Sequence, residues 1–245
     1  MDDPANGPPG TPALAVVIPV FDEEESLRPL HAELCAALAP LAGGAEILFV
    51  DDGSRDGSVA VLRELAEKDP RVQVLRLDGH HGQSAALDAG FRAVTAPLTA
   101  TLDADLQNDP ADLPKLLALL DGADVVNGVR VDRCDSFSKR VSSRVANAVR
   151  NRLTRESVTD VGCSLRVMRT AHLRRIKLYR GLHRFLPTLL ALEGARVVEI
   201  PVSHRPRSYG RSKYGVGNRL FTGIVDLFAV RWMQHRALRH RVTRD

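Results

Sequence analysis

The sequence predicts a Rossmann-like, doubly wound α/β fold with a mostly parallel sheet, in one domain that ends in an amphipathic helix. Three observations carry that expectation. Strand-length apolar runs alternate with helix-length amphipathic segments through the first hundred residues. The first run, 13–20 (ALAVVIPV), is apolar without a break, as suits a strand buried on both faces. Two acidic clusters, Asp51-Asp52 and Asp103-Ala104-Asp105, close apolar runs, and ligands of parallel sheets sit beyond such strand ends.

Residues 1–12 (MDDPANGPPGTP) are rich in Pro and Gly and read as a disordered leader, without the basic start and apolar stretch of a signal peptide. A strand at 13–20 is followed by a helical pattern at 24–39, a strand at 46–50 and a helix at 58–68. A strand at 72–77, a helix at 83–94 and a strand at 98–102 continue the alternation. The second half is less regular. It offers strands at 125–129, 162–168 and 196–201, a basic helix at 136–152 and a helix at 182–192. A Gly/Pro/Ser-rich loop at 203–217 precedes a last helix at 218–236. No interdomain linker interrupts this order, so a catalytic domain at 13–217 is followed only by the helix and basic tail of 218–245.

At 245 residues and 44% hydrophobic content the chain can bury a full core. The three cysteines have no CxxC or paired zinc spacing and are read as reduced thiols. A net charge of +4 conceals a polarity: residues 1–125 hold 8 Lys/Arg against 22 Asp/Glu, and residues 126–245 hold 26 against 8. A basic half implies an anionic partner at one end, either a membrane surface or a phosphorylated substrate. Nucleic acid is excluded as a partner, because aromatics are only 4% and no nucleic-acid-binding motif occurs.

The sharpest chemical feature is the pair Asp103 and Asp105. Two carboxylates spaced by one residue at a strand end can share a hard divalent cation, and Mg²⁺ or Mn²⁺ suits oxygen ligands. With Asp51 and Asp52 on the same sheet edge, four carboxylates would repel one another unless cations or hydrogen-bond donors answered them. Asp51-Asp52-Gly53 reads either as an Asx-capped turn or as acceptors for a nucleobase and ribose. Downstream, residues 130–155 carry eight Lys/Arg, enough to hold a phosphate; a solvated basic helix accounts for about half of them.

The ordered motifs VVIPVFDEEES, EILFVDDGSRDGS, GQSAALDAGF and TATLDADLQNDP resemble family 2 glycosyltransferases of the GT-A fold. Within them the chain is most similar to the polyprenyl-phosphate glycosyltransferases, which include dolichol-phosphate mannose synthase. The similarity runs on through DVVNGVR, SFSKRVSSR, TDVGCSLRVMR, GLHRFLP and RPRSYGRSKYG, and so covers nearly the whole chain after the leader.

The resemblance implies roles position by position. Pro19, Phe21 and Glu23 match the first donor-binding stretch, with Phe21-Asp22 where the family usually has Tyr-Asn. Asp51 and Asp52 match the residues that hold base and ribose, and Gly82-Gln83 the turn beside the nucleoside. Asp103, Asp105 and Gln107 match the metal and diphosphate positions. Arg130, Arg140 and Ser143 resemble the acceptor-phosphate site, and Arg207, Arg211, Ser212 and Lys213 a mobile active-site loop. Asp160 resembles a carboxylate near the reacting centre, while its bottom-up alternative is a strand-end partner for an Arg.

The implied activity is inverting, metal-dependent sugar transfer from a nucleotide-sugar donor (UDP- or GDP-sugar) to a polyprenyl phosphate. The enzyme is expected in the cytoplasm, peripheral at the inner face of the plasma membrane, with a homo-oligomer left open. The segment 220–233 is too short for a span and contains Asp226 and Arg231. At 100° per residue its apolar side chains, from Leu220 to Trp232, fill an arc of roughly 160° with Asp226 opposite, and arginines follow. That pattern fits either a helix lying on an anionic membrane or one packed on the core. Two rival functions remain: the same chemistry on a soluble small-molecule acceptor, and a non-catalytic nucleotide-binding or membrane-surface module. A nucleotidyltransferase is disfavoured, because no Gly-rich phosphate loop follows the first strand.

Overall fold

The computed structural model describes residues 11–131, 158–207 and 216–237, with the backbone alone at 216–222 and 224. The predicted basic helix, with Arg140 and Ser143, lies outside the described residues, as do Arg211, Ser212 and Lys213, the first ten residues and the tail after 237.

The first half folds as its pattern predicts. Strand β1 (Leu14–Val20) leads to helix α1 (Glu24–Leu38), β2 (Ala45–Asp51) to α2 (Ser58–Lys68), and β3 (Val72–Arg76) to α3 (Gln83–Ala93), before β4 (Leu98–Thr101). These four strands are mutually parallel, in the order β3-β2-β1-β4. A 3₁₀ turn and the short α4 (Leu113–Leu117), not foreseen from the sequence, then carry the chain to β5 (Val125–Arg130). Strand β6 (Arg166–Arg169) inserts antiparallel between β4 and β5, and β7 (Val197–Val202) adds parallel to β5. The result is one seven-stranded sheet, β3-β2-β1-β4-β6-β5-β7.

Period-two alternation splits the core into two layers. Val16, Ile18, Ile47 and Phe49 face the α1/α2 side, whereas Ala15, Val17, Leu48 and Val50 face the other. On that second side Gly90 of α3 lies so close to β1 that a Cβ would come 2.4 Å from a Val17 methyl.

The second half departs from expectation in four places, the first being an unforeseen helical turn at Thr170–Leu173. The strand expected at 162–168 starts only at Arg166, because residues 161–162 turn and 163–165 run without ladder pairing. The helix expected at 182–192 is a 3₁₀ turn (Leu182–Phe185) followed by α5 (Leu186–Leu192), with Pro187 at its start, where a missing N–H costs nothing.

The last departure concerns the final helix, α6 (Val216–Arg236), which begins two residues before its expected start. Its Leu227 and Val230 pack against Leu182, Phe185 and Leu189. Asp226, expected on the solvent face opposite the apolar arc, is instead buried and paired with Arg184 at 2.9 Å. The outward face carries Val225, Phe228 and Trp232, which are 52%, 63% and 63% exposed. Among the described residues no helix is long and apolar enough to cross a membrane.

Candidate active site

Strand order reverses between β1 and β4, and there the carboxyl ends of β1, β4 and β5 open on a cleft of about 510 Å³. Its walls include Pro19 near the end of β1, Phe21 and Glu23 beyond it, Asp52 beyond β2, and Gln83 at the start of α3. Asp103, Asp105 and Gln107 form its floor, and Arg130 and Arg207 reach it from the basic half. The sheet thus brings together most of the described residues singled out in the sequence.

The segment after β4 is held under strain. Leu106, between Asp105 and Gln107, has a φ of 61°, and Asp22 beside Phe21 one of 49°. Non-glycine residues in the left-handed region cost roughly 1–3 kcal/mol each and gather at functional sites. Neighbours hold the strained turn in place: Gln107 N–H donates to Asp105 Oδ1, and Arg205 N–H to the Gln107 carbonyl. Asn108 pairs with His204 in an isolated bridge. The first residues of the 203–217 loop are thereby fixed against the acidic turn.

The carboxylate pair is electrostatically loaded. Burial first, then the neighbouring Asp105, pushes the Asp103 carboxyl up to about 6. Gln83 Nε2 donates to Asp103 Oδ1 at 2.7 Å, and Arg207 Nη2 reaches Asp105 Oδ2 at 2.5 Å. A crowded pair of hard oxygen donors answered by a guanidinium is a donor set that fits Mg²⁺ or Mn²⁺, with the Gln107 amide oxygen as a third candidate.

Asp51 and Asp52 differ. Asp51 is wholly buried and does not line the cleft; its Oδ1 caps Ser54 N–H, and Arg76 Nε lies 3.5 Å from Oδ2. That second oxygen is buried with no hydrogen-bond partner among the described residues, an unspent acceptor. Asp52 accepts from the backbone N–H groups of His81 and Gly82, and its Oδ2 lies 2.8 Å from His80 Nδ1. Gly82 holds a φ of 93°, which a side chain would strain. His80, to which sequence reasoning gave no role, stacks on Phe21 with ring centroids 3.9 Å apart.

Arg130 and Asp160 form a fork in which the carboxylate is buried and the arginine half-buried. Arg130 Nε and Nη2 donate to the two Asp160 oxygens at 2.7 and 2.8 Å, and Arg130 N–H to Oδ2 at 3.2 Å. Both readings of Asp160 survive this, since it is an Arg partner and also sits behind a cleft residue. Gly162 lies beneath the guanidinium, where a Cβ would come 2.5 Å from Arg130 Nη2.

Sequence reasoning missed the support under this fork. Arg166, 4% exposed on β6, donates to Asn127 Oδ1 and to the carbonyls of His183, Val161 and Cys163. Glu199 on β7 accepts from Thr159 N–H, Thr159 Oγ1 and Asn127 Nδ2 and so fixes the turn that presents Asp160. The one sequence signal was an arginine inside an apolar strand.

A doubly wound sheet with a carboxylate pair at its switch point places the chain among proteins of the GT-A fold. Residues 15–177 match the family described as Glycosyl transferase family 2, and the chain belongs to that family. It is 40% identical over 205 residues to undecaprenyl-phosphate 4-deoxy-4-formamido-L-arabinose transferase of Edwardsiella ictaluri, covering 83% of this chain and 63% of that protein. To dodecaprenyl-phosphate galacturonate synthase of Rhizobium johnstonii it is 35% identical over 239 residues, covering 95% of this chain and 70% of that protein. The chain thus spans a little under two thirds of the first relative's length.

Two solved structures show the same fold. Glucosyl-3-phosphoglycerate synthase of Mycobacterium tuberculosis, with Mn²⁺, UDP and glucosyl-3-phosphoglycerate, aligns at a TM-score of 0.66 and 17% identity, over 92% of this chain and 80% of that one. A mannosyltransferase of Pyrobaculum calidifontis with GDP-Man and Mn²⁺ aligns at 0.64 and 19% identity, over 97% and 72%.

Proposed function

We propose that the protein transfers a sugar, with inversion, from a UDP- or GDP-sugar to a polyprenyl phosphate, working as a peripheral enzyme on the cytoplasmic face of the plasma membrane. The observation that carries this reading is one cleft holding the Asp103/Asp105 pair on one side and Arg130 on the other. Polyprenyl-phosphate sugar transfer is what the two named relatives do, and Mn²⁺ with a nucleotide is what the two structural neighbours hold.

In this reading Phe21, Asp52 and Gln83 seat the base and ribose, Asp51 supports them from behind the cleft by capping Ser54, and Pro19, Glu23 and Gly82 shape that subsite. Asp103, Asp105 and Gln107 would hold Mg²⁺ or Mn²⁺, which stabilises negative charge on a departing diphosphate. An acceptor phosphate monoester is already ionised near neutrality, its second pKa being about 6. Such a nucleophile needs cationic positioning more than a general base, and Arg130 offers it with a guanidinium pre-aligned by Asp160. Arg140 and Ser143, and Arg207 with Lys213 of the loop, complete the proposed acceptor and diphosphate contacts.

The test is a transfer assay that pairs UDP- and GDP-sugars with a short-chain polyprenyl phosphate or with soluble phosphorylated and hydroxylic acceptors. Turnover confined to the polyprenyl phosphate, lost in a folded Asp105→Ala protein, is the expected result. Turnover confined to soluble acceptors would transfer the reading to its first rival. Nucleotide binding without turnover on any acceptor would favour a non-catalytic module.

A further inference from the structure

On the sheet edge opposite the cleft, His31, Cys35 and Asp69 converge. His31 and Cys35 stand one turn apart on α1, and Asp69 caps the end of α2, just before β3. Cys35 Sγ is 3.4 Å from His31 Nε2 and 3.5 Å from Asp69 Oδ2, and those last two atoms are 2.9 Å apart. Zinc bonds of about 2.3 Å to sulfur and about 2.0–2.1 Å to nitrogen or oxygen place neighbouring tetrahedral ligands about 3.3–3.6 Å apart. The three atoms therefore already form one face of a zinc tetrahedron to within about half an ångström.

The surroundings suit a cation. Asp69 Oδ1 accepts from Arg71 N–H and Nε, an arrangement that fixes the carboxylate and leaves Oδ2 turned toward His31 and Cys35. Arg71 Nη2 lies 2.8 Å from that Oδ2 and 3.0 Å from Cys35 Sγ, so a positive group already bridges two of the three candidate ligands. The Arg71 side chain is 38% exposed and has room to swing outward, whereas those of His31 and Asp69 are 15% and 11% exposed.

We infer that His31, Cys35 and Asp69 form a second metal site, for zinc or a similar thiolate-loving divalent ion, with a water as fourth ligand and Arg71 as a displaceable cation. Thiolate and imidazole select such metals, while the carboxylates of the cleft select Mg²⁺ or Mn²⁺. The ion replaces the Cys35 thiol proton, which leaves to solvent, and ties α1 to the α2–β3 junction.

The test uses the full chain, stripped of metal and kept in excess Mg²⁺, titrated with Zn²⁺ and separately with Co²⁺. One tight equivalent of Zn²⁺ and a near-ultraviolet thiolate-to-cobalt charge-transfer band are expected. Cys35→Ser and His31→Gln should each lose the band, and Asp105→Ala should keep it. Arg71→Met should tighten zinc binding about tenfold, as removal of a competing charge-assisted contact predicts. No cobalt–thiolate band in the wild-type protein overturns the site, as does a band that survives Cys35→Ser. Circular dichroism of each variant separates a lost ligand from a lost fold.

Discussion

Asp103 and Asp160 show how the same residue type is used in opposite ways. The Asp103 carboxyl is pushed up to about 6, above the roughly 3.9 of an unfolded chain. Such a group binds its proton more tightly when folded, so the fold loses stability as pH rises from about 4 to about 6 and stays lowered above that. A shift of this size corresponds to about 1–3 kcal/mol, the smaller figure allowing for partial exposure of the residue. Asp103→Asn, which still accepts from Gln83, should therefore be more stable than wild type at pH 7.5 in chelator, and equal to it near pH 4. Thermal melts at the two pH values check this, and an Asn variant no more stable at pH 7.5 would contradict it. Asp160, by contrast, is held by the Arg130 fork, and the two are predicted to act as a unit. Arg130→Ala should lower acceptor use by about ten- to hundredfold with nucleotide affinity unchanged. If Asp160 only positions Arg130, the double variant should be no worse than Arg130→Ala alone. Additive losses in that cycle would instead give Asp160 its own role at the reacting centre.

At the scale of elements, the contacts that the described part of α6 makes with the core are easy to probe. Leu227 and Val230 fill a small cluster with Leu182, Phe185 and Leu189, and Asp226 pairs with Arg184 beside it. Leu227→Ala should cost about 2–3 kcal/mol, the lower part of the range for a buried leucine, because the cluster lies at the periphery. Denaturant melts would show it, and a loss under about 0.5 kcal/mol would mean the helix is not docked there. The same helix shows what the sequence could convey. An apolar arc was legible, but a helical wheel treats every charge as a solvent marker, so the Asp226–Arg184 pair reversed the assignment of faces. Apolar runs made β1 and β2 plain, and the short alternation of Leu, Thr and Ala before Asp103 did the same for β4. Strand β6 was blurred because its antiparallel insertion follows a turn that is buried at Cys163 and Leu165 without strand pairing. Residues whose work is long-range stayed hidden: Arg166, Glu199 and the trio His31, Cys35 and Asp69 acquire meaning only when distant segments meet. The acidic motifs were readable because each is local and lies at a strand end.

At the scale of the whole molecule, exposed apolar side chains and the basic residues of the sequence fall together at the C-terminal end. Val225, Phe228 and Trp232 follow a spacing of three and four residues, and so form one stripe on α6. His235 and Arg236 continue that face outward, and the sequence adds Arg239, Arg241 and Arg244. Asp226, Leu227 and Val230 occupy the opposite, core-facing side. The helix therefore docks by one side, and for the other, which presents aromatic and apolar side chains, we propose a lipid surface. Half-exposed aromatics insert into a headgroup layer, and each Lys/Arg near an anionic surface contributes about 1 kcal/mol. The cationic part is screened by salt, whereas the apolar part is not. Wild-type protein should co-sediment with anionic liposomes at low salt, bind more weakly as ionic strength rises, and bind neutral liposomes slightly. Replacing Phe228 and Trp232 together by Ser should remove the salt-resistant fraction while leaving the melting temperature nearly unchanged, since neither side chain is buried. Deleting residues 235–245 should remove the salt-sensitive fraction instead. A wild-type protein that ignored anionic liposomes at low salt would leave the stripe without a lipid partner, and a soluble phosphorylated acceptor would then be the better match for the cleft.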